Sequence, residues 1–341
     1  MSEIKNKTIT RVCISDSVCS LLTYILISTK EDLESTCFFT SEGIHESVRN
    51  QLPNHKYIPM ARFLKSRFSK IRFLFYLVFL RFTATMRWRF LKTAKIFAMD
   101  QLYYSGALIG NRHYIALADG PNCFANLLAT KDYQTVIAPE NQGLRMRIVR
   151  FFLGCTWHQG HGVSRNCDEI VSITPDRLPV VHDSKRNLVY PLEKLWAEAD
   201  AEKRENVLRI FGITPEDVET MKRCKVVLLT QQLATEGTVT EDELAAIYRD
   251  LLSGFSMENV MIKRHPRDRM DYARYFPEAY IYDRFAPMQI FAMLGITFEV
   301  AATLFSSSVT SFKDARIIWG GSEVHPNIKK RYGIQPIPEK R

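Results

Sequence analysis

The stretch Lys225-Val-Val-Leu-Leu-Thr230 is a short apolar run of β-branched and aliphatic residues, and it predicts a buried strand. Helical and strand patterns then alternate along the chain: Glu241–Gly254 (helix), Val260–Lys263 (strand), Tyr280–Tyr282 (strand), Met288–Leu294 (helix) and Phe298–Ala301 (strand). Strands that alternate with helices at this spacing indicate a parallel sheet with helices on both of its faces.

The first half of the chain shows the same alternation of predicted strands and helices. Its predicted elements are Thr10–Ser15 (strand), Val18–Ser28 (helix), Ser35–Thr40 (strand) and Tyr114–Leu117 (strand). A length of 341 residues suits two domains. We therefore predict an α/β protein with two Rossmann-like, doubly wound domains, residues 1–190 and 224–341, joined by a charge-rich, helical linker over 191–223.

Composition narrows the classes of protein that fit this chain. It is 46% hydrophobic and 24% charged, which suits a globular protein and excludes a disordered or collagen-like one. The seven cysteines are scattered without a Cys-x-x-Cys pair, so we predict neither a disulfide framework nor a zinc site. The polar stretch Met1–Thr10 lacks the apolar core of an export signal, so we expect a cytoplasmic protein.

A basic, aromatic block over about residues 60–98 accounts for the positive net charge of +9. Between Glu46 and Asp100 the sequence has twelve basic residues and no acidic one. The uncharged run Phe73–Leu80 is far shorter than the roughly 20 residues that cross a bilayer. We predict a helical insert that lies on an anionic membrane surface, or one whose aromatic side chains pack into the core or against a homodimer partner. No nucleic-acid partner is expected, because the block has no recognition motif.

The candidate site residues follow predicted strands, since the sequence lacks the loops typical of ATPases, zinc proteases and serine hydrolases. Ligands of open α/β sheets bind outside the carboxyl ends of the strands. His265 lies at one such end, after the strand Val260–Lys263. Its side chain can donate to a phosphate oxygen or act as a general acid. The residues around it supply positive charge for a phosphate or a rigid turn: Lys263, Arg264, Pro266 and Arg267. An ordinary surface turn is the alternative interpretation.

A second candidate loop follows the strand predicted over Phe298–Ala301. It contains three consecutive hydroxyl side chains ahead of a predicted helix: Ser306, Ser307 and Ser308. Hydroxyls and unpaired backbone N–H groups at the start of a helix bind phosphate readily, although an ordinary helix cap would use the same residues. Taken together, the two loops predict one phosphate-binding cleft.

With these motifs in this order, the sequence resembles the bacterial sialyltransferases and is most similar to glycosyltransferase family 52, whose members modify lipooligosaccharide and capsule glycans. The acidic-acidic-Gly motif of the family corresponds to Ala118-Asp119-Gly120, its His-Pro motif to His265-Pro266, and its Ser/Thr pair to Ser306-Ser307-Ser308. Val12–Ser28 and Cys37–Ile44 resemble the first strand, helix and strand of the family.

The resemblance implies a GT-B-like fold in which residues 1–190 bind the acceptor and residues 224–341 bind a CMP-sialic acid donor. It also implies inverting transfer without a metal or another cofactor. His265 would assist departure of the CMP phosphate, which Ser307 and Ser308 would bind. Asp119 is then the candidate catalytic base, and Gly120 beside it is grouped with the donor-binding residues.

Ala118 stands where the family motif has an acidic residue, so other carboxylates stay open as the base. These follow the strand Lys225–Thr230 and are Glu236, Glu241 and Asp242. For Thr240–Glu243 the alternative interpretation is helix N-cap chemistry. The candidates for contacts with the cytidine ring are Arg284 and Pro287-Met288-Gln289.

Other functions also stay open. The same loops suit another CMP- or CDP-linked donor, or a phosphotransferase of the CDP-glycerol type. From a different class, an inactive, membrane-associated binding module of the same fold is favoured by the missing acidic residue at Ala118.

Overall fold

The computed structural model describes residues 8–60, 69–120, 123–124, 143–175, 178, 185–265, 267–312 and 314–337. The chain divides into two compact units, an N-terminal unit (Met1–Ile210) and a C-terminal unit (Phe211–Arg341). Of the predicted site residues, Pro266 lies outside the described residues, and Ser307 is described by its backbone alone. The division between the units falls inside the segment 191–223, whose residues form helices rather than extended chain.

The N-terminal unit is built on a parallel sheet whose described strands follow the order β3-β2-β1-β4-β5-β6-β7. Its strands are β1 (Arg11–Ile14), β2 (Thr36–Thr40), β3 (Lys56–Tyr57), β4 (Lys95–Ala98), β5 (Tyr114–Leu117), β6 (Cys167–Ser172) and β7 (Arg186–Val189). Val12 of β1 lies opposite Cys37 of β2 on one side and Ile96 of β4 on the other. The strand order therefore reverses between β1 and β4, which makes this pair the switch point of a doubly wound sheet.

The described helices of this unit are α1 (Val18–Ile27), α2 (Lys30–Glu34), α3 (Glu46–Arg49), α4 (Ser69–Arg87), α5 (Tyr103–Ile109), α6 (Leu144–Leu153), α7 (Leu192–Glu198) and α8 (Ala201–Phe211). Ser17 caps the N-terminus of α1, and its side chain accepts a 3.2 Å hydrogen bond from the backbone N–H of Cys19. Leu77 and Leu80 of α4 are buried in the same core as Val12 and Ile96. One side of α4 is thus fixed against the central strands.

The predicted helical insert over residues 60–98 is wrong at its end. Lys95–Ala98 is β4, which pairs with both β1 and β5 and so belongs to the middle of the sheet. The remaining described part of the block is α4 and a 3₁₀ turn over Arg89–Lys92. The strand was missed because the short apolar run Ile96–Met99 follows a long basic stretch, and so short a run does not distinguish strand from helix.

The C-terminal unit holds a second parallel sheet, with its described strands in the order β10-β9-β8-β11-β12. They are β8 (Val226–Leu229), β9 (Val260–Lys263), β10 (Tyr280–Tyr282), β11 (Val300–Thr303) and β12 (Arg316–Trp319). The described helices are α9 (Pro215–Arg223), α10 (Glu241–Leu251), α11 (Tyr272–Tyr275), α12 (Gln289–Met293) and α13 (Pro326–Tyr332). Here the strand order reverses between β8 and β11. The predicted class, α/β with two doubly wound parallel sheets, is confirmed.

The strand predicted over Phe298–Ala301 lies two residues further along, at Val300–Thr303. Phe298 instead precedes the strand, where its ring packs edge-on against Phe312 with centroids 5.2 Å apart. An aromatic side chain that packs just outside a sheet has the same apolar signal in the sequence as one within it.

Candidate active site

The predicted phosphate loops meet at one edge of the C-terminal sheet. In the register of the strands, Leu229 at the end of β8 lies opposite Lys263 of β9 and Thr303 of β11. The loops that follow these three strands therefore start side by side, with the loop after β8 in the middle. This edge includes the β8/β11 switch point, where open α/β sheets bind their ligands.

The loop after β9, residues 263–268 and here called the His-Pro loop, is tied to the end of β8. The backbone N–H of His265 donates to the hydroxyl oxygen of Thr230 at 3.0 Å. That hydroxyl in turn donates to the carboxylate of Asp268 at 3.2 Å. Asp268 is buried, and it also accepts hydrogen bonds from the Tyr272 hydroxyl at 2.7 Å and from Thr235 at 3.2 Å. Asp268 therefore holds the loop in place, a role that the sequence did not indicate.

The imidazole of His265 has a defined orientation and tautomer. Its Nδ1 accepts a 3.2 Å hydrogen bond from the backbone N–H of Arg267, so the proton of the neutral ring sits on Nε2. Burial, and the positive charges of Arg267 and Lys263, lower the pKa of His265 against the opposing effects of Asp268 and Glu236. At neutral pH the ring is thus a neutral donor through Nε2–H, which suits a hydrogen bond to a phosphate oxygen.

Lys263 is a buried cation at the start of the His-Pro loop. Its Nζ lies 3.5 Å from the carbonyl oxygen of Ala286 and 5.3 Å from the ring centroid of Tyr282. In the part of the chain that the structure describes, no carboxylate forms an ion pair with it. Burial lowers its pKa to about 8. The hydroxyl of Tyr282 is also buried without a hydrogen-bond partner among the described residues. A bound anion would compensate this charge.

The other predicted donor-binding residues of the C-terminal unit follow strands at the same edge of its sheet. The backbone N–H of Arg264 donates to the carbonyl of Tyr282 at 3.3 Å, and Arg267 is exposed. Ser306 precedes a 3₁₀ turn over Ser307–Ser311, and its backbone N–H donates to the Thr303 hydroxyl at 3.1 Å. β9 and β11 lie on either side of β8, so the His-Pro and serine loops start about 10 Å apart.

Among the described residues, two acidic-Gly pairs that follow strands have a glycine with positive φ, and the sequence favoured only the first of them as the site of the base. Asp119 and Gly120 follow β5 in the N-terminal unit, and Gly120 has a φ of 87°. Glu236 and Gly237 follow β8 in the C-terminal unit, and Gly237 has a φ of 68°. Such positive φ values favour glycine at both positions. Of the two carboxylates, Glu236 belongs to the same unit as His265 and its charge acts on that imidazole.

Glu236 is firmly held. Its Oε2 pairs with the Arg331 guanidinium at 2.9 Å and accepts from the hydroxyl of Tyr332. Its Oε1 accepts from the side-chain amide of Gln232. The neighbouring Thr235 accepts a 2.8 Å hydrogen bond from the backbone N–H of Arg269, which links this loop to the end of the His-Pro loop.

The remaining alternative bases lie in the first turn of α10. The hydroxyl of Tyr275 donates to Asp242 at 2.9 Å and to Glu241 at 3.5 Å. Thr240 and Glu243 form a complete capping box, the helix-cap chemistry that the sequence offered as the alternative interpretation. No described contact links Glu241 or Asp242 to His265.

Of the residues considered for the cytidine ring, Arg284 is engaged elsewhere. Its Nε lies 3.5 Å from the carboxylate of Asp217. Burial acts to raise the pKa of Asp217, but the hydrogen bonds that Asp217 accepts from Thr214 and Tyr280, together with the charge of Arg284, hold this pKa below its ordinary value. Pro287 directly follows Ala286, the residue whose carbonyl is nearest to Lys263 Nζ. The segment 286–289 therefore borders the buried cation.

The N-terminal unit has a carboxylate of its own at the switch point, which the sequence analysis missed. Asp16 follows β1 and accepts hydrogen bonds from the backbone N–H groups of Ser41 at 2.7 Å and Gly43 at 3.1 Å. Burial raises its pKa against the opposing effect of these hydrogen bonds. Its position directly after the predicted strand Thr10–Ser15 was the available signal.

Comparison with known proteins agrees with this geometry. A family profile described as glycosyltransferase family 52 matches residues 7–327. The chain belongs to glycosyltransferase family 52. The predicted family, and with it the predicted class of glycosyltransferase, is confirmed.

An uncharacterized protein of Haemophilus influenzae is 25% identical to this family 52 chain over 172 residues, which cover 50% of this chain and 56% of the relative. The match thus spans about half the length of the curated relative.

Solved structures place this family 52 chain among proteins of the GT-B fold, as predicted. The GT-B domain of a sialyltransferase from Photobacterium damselae superposes with a TM-score of 0.53 at 14% identity, over 90% of this chain and 89% of the other. A 2,6-sialyltransferase from Photobacterium sp. JT-ISH-224, in a ternary complex with CMP and lactose, gives a TM-score of 0.52 at 10% identity. That match covers 88% of this chain and 68% of the other.

The described residues of this family 52 chain contain no cluster of three or more His, Cys, Asp or Glu side chains that could hold a metal ion. No helix among them is both long and apolar enough to span a membrane.

Proposed function

We propose that this family 52 chain is an inverting sialyltransferase that uses CMP-sialic acid and requires no metal. The observation that supports it best is the His-Pro loop, in which His265 presents Nε2–H beside the uncompensated cation of Lys263. A neutral hydrogen-bond donor and a buried cation at the carboxyl ends of parallel strands suit a phosphate that becomes more negative as it leaves. Family membership supports a glycosyl donor.

The reaction proceeds by a single displacement. The acceptor oxygen forms a bond to the anomeric carbon, and the bond from that carbon to the phosphate oxygen breaks. The electron pair stays on the CMP phosphate, where His265 and Lys263 stabilise it, with the serines at 306–308 on the other side of β8. Because the transfer has one step, no nucleophilic side chain of the enzyme is required.

The proton of the acceptor hydroxyl passes to a carboxylate, and we assign this role to Glu236. It lies in the loop after β8, between the two phosphate loops, and it acts electrostatically on His265. Arg331 and Tyr332 orient Oε2, while among the described residues Oε1 is held by Gln232 alone, whose amide the acceptor hydroxyl would replace. Asp119, the first choice from the sequence, is the competing assignment.

The acceptor that fits the family resemblance is a glycan of lipooligosaccharide, lipopolysaccharide or capsule. We propose that the enzyme acts in the cytoplasm, at the inner face of the membrane. The absence of acidic residues from the segment between Glu46 and Asp100 supports a location at an anionic surface.

Nucleotide binding and donor hydrolysis test the proposal. CMP should bind the purified protein, with UMP and GMP weaker, and CMP-sialic acid should be hydrolysed slowly without an acceptor. His265→Ala should lower the hydrolysis rate by about 10²-fold to 10⁴-fold. The matched control is His113→Ala, since His113 is an exposed histidine paired with Asp168 at the start of β5.

The outcomes separate the competing functions. Failure of any cytidine nucleotide to bind at millimolar concentration would exclude the donor class. Binding of CMP with transfer from another CMP- or CDP-linked donor, including CDP-glycerol, would keep the site and change the donor. Binding without hydrolysis or transfer in wild type would identify an inactive module. Equal hydrolysis by wild type and His265→Ala would reject the role of His265.

A further inference from the structure

Three neighbouring strands of the N-terminal sheet are each followed by an aspartate. Asp16 is the second residue after β1, Asp100 the second after β4 and Asp119 the second after β5. These strands are adjacent in the order β1-β4-β5, so the segments that follow them start side by side over about 10 Å. We call these segments the acidic edge. It lies at the switch point of the sheet, where open α/β sheets bind their ligands.

The carboxylate of Asp100 holds a further loop against the acidic edge. Asp100 is buried, and it accepts hydrogen bonds from the backbone N–H groups of His161 at 2.6 Å and Gly162 at 2.8 Å. The ammonium of Lys185 donates to the carbonyl oxygen of Gly162 at 2.8 Å. Residues 158–162, here called the histidine loop, are therefore fixed through their backbone, much as a buried aspartate fixes the His-Pro loop of the C-terminal unit.

His161 has a strained backbone conformation. Its φ is 62°, in the left-handed region that glycine adopts freely and that is costly for a residue with a Cβ atom. Such a conformation persists only where the surroundings impose it, and residues of this kind cluster at binding and active sites. The hydrogen bonds to Asp100 impose it here. The histidine loop therefore presents the imidazole of His161 at a cost to stability.

The imidazole of His161 is half-buried and available to a ligand. Among the described residues, none forms a hydrogen bond with this ring or with the half-buried carboxylate of Asp119. Burial lowers the pKa of His161, against the opposing charges of Asp100 and Asp119, so the ring is neutral at pH 7. A neutral imidazole has one N–H donor and one nitrogen acceptor. This combination matches a sugar hydroxyl, which also donates and accepts hydrogen bonds.

A second polar group at the acidic edge lacks a partner. The hydroxyl of Tyr104 on α5 is buried without a hydrogen-bond partner among the residues that the structure describes. Burial and the charge of Asp16 raise the pKa of Tyr104, so its hydroxyl stays protonated and can donate. A buried hydroxyl without a partner is costly, and a ligand that supplies the missing hydrogen bond removes that cost.

The charges at the acidic edge favour one class of ligand. Asp100 and Asp119 repel anions, whereas Lys263 in the C-terminal unit attracts them. Carboxylates and a neutral imidazole form hydrogen bonds with hydroxyl groups. A neutral sugar is therefore suited to the acidic edge, and a sugar that carries a carboxylate or a phosphate is disfavoured by like-charge repulsion.

We propose that His161 binds a hydroxyl of the neutral sugar that ends the acceptor glycan, and that Asp100 and Asp119 exclude acceptors that end in an anionic sugar. The inference rests on the proposed transfer to a glycan and names the acceptor class of that reaction. It has a consequence for the product. A terminus that has received sialic acid is anionic, so this enzyme adds one residue and does not extend its own product.

Binding of simple glycosides tests the acceptor class. At pH 7, in the presence and absence of CMP, saturation-transfer NMR should detect at least one of the methyl β-glycosides of galactose, glucose and N-acetylglucosamine. The corresponding uronide, in which a carboxylate replaces the hydroxyl at C6, should bind more weakly by about tenfold or more. Asp119→Asn removes one of the repelling charges and should reduce this difference by about threefold or more.

His161→Gly tests the histidine itself. Glycine adopts a φ of 62° without strain, so the imidazole is lost while the loop keeps its backbone conformation. The dissociation constant of the glycoside and the KM for the acceptor should rise by about tenfold, with a smaller effect on kcat. The melting temperature should change little, because the relief of strain offsets the greater freedom of glycine in the unfolded chain.

Two other variants of the histidine loop are matched to this one. His158→Gly removes another left-handed histidine, with a φ of 52°, whose ring packs against Trp157 with centroids 5.2 Å apart. It relieves similar strain and should leave the glycoside affinity unchanged. His161→Asn keeps a donor and an acceptor and tolerates a positive φ, so it should recover part of the affinity that the glycine variant loses.

Three results would overturn the proposal. They are equal glycoside affinity of wild type and His161→Gly, equal or tighter binding of the uronide by wild type, and failure of all three glycosides to bind. CMP binding by wild type reports on the proposed donor separately. Glycoside binding without CMP binding would reject the donor and keep this site, whereas CMP binding without glycoside binding would reject this site alone.

Discussion

The backbone N–H of His265 and the side-chain hydroxyl of Thr230 form a 3.0 Å hydrogen bond that joins the ends of two neighbouring strands. The same hydroxyl donates to the buried carboxylate of Asp268, so one threonine connects the backbone of His265 to the group that organises its loop. The position of His265 therefore depends on a residue 35 positions earlier in the chain.

Thr230→Val tests this connection. Valine keeps the shape of threonine but leaves the His265 N–H without its acceptor and removes one donor to Asp268. We expect a loss of about 1–3 kcal/mol in the free energy of unfolding, and a fall of about tenfold or more in donor hydrolysis. Urea unfolding and a hydrolysis assay measure both. Thr23→Val, which removes a buried hydroxyl bonded within α1, should lose stability and keep its activity.

Lys263→Met should make the protein more stable. The pKa of Lys263 in the folded protein is about 8, below its ordinary value, because burial penalises the charged form. That penalty is present in full below pH 8 and disappears as the pH rises past the pKa of the unfolded chain. Methionine removes it, so we expect a gain of about 1–3 kcal/mol at pH 7 that shrinks toward pH 10. Destabilisation at pH 7 would show that an acidic partner compensates the lysine.

The affinity for CMP should depend on pH through the same side chain. As the pH rises from 7 to 9.5, Lys263 loses its proton and with it the attraction for phosphate, so the dissociation constant of wild type should rise. His265 does not titrate in this range, because its pKa is lowered. Calorimetric titration should show weaker binding by Lys263→Met at pH 7 and a flatter profile. Equal slopes in the two proteins would place the phosphate away from Lys263.

The catalytic base is identified by separating transfer from hydrolysis. Glu236→Gln should lower transfer to a glycan acceptor by about 10²-fold or more while CMP affinity changes little. Asp119→Asn in the N-terminal unit is the direct comparison. If Asp119→Asn abolishes transfer and Glu236→Gln does not, the assignment from the sequence motif is right and ours is wrong. Asp242→Asn, whose carboxylate accepts from Tyr275, should leave transfer unchanged.

Much of the fold could be predicted from the sequence because buried parallel strands are continuous apolar runs. The strands Tyr114–Leu117, Val260–Lys263 and Tyr280–Tyr282 have the predicted bounds. Lys95–Ala98 and Arg316–Trp319 were missed, because each begins with a charged residue, which hides the start of the apolar run. In strands of three or four residues, pairing with neighbours contributes more to the conformation than the local sequence does.

The site residues that could be predicted from the sequence are those that directly follow a predicted strand. His265 and Ser306 follow strands directly, and both lie at the switch-point edge. Asp268 was not predictable, since in the sequence it is one charge among several after Pro266. Its role arises because folding brings Thr230 and Tyr272 onto its carboxylate. The choice between the two acidic-Gly turns also depends on which unit holds each one.

The position of β1 between β2 and β4 has a consequence for synthesis. Arg11 pairs with Thr36 soon after both are made, but its other partner, Lys95, comes much later. Until β4 leaves the ribosome, the nascent chain presents one open edge of a buried, apolar strand, together with the aromatic residues of α4. Such an edge is a template for pairing with other chains. We therefore expect the yield of this protein to depend on chaperone supply during translation, before any substrate or membrane is met.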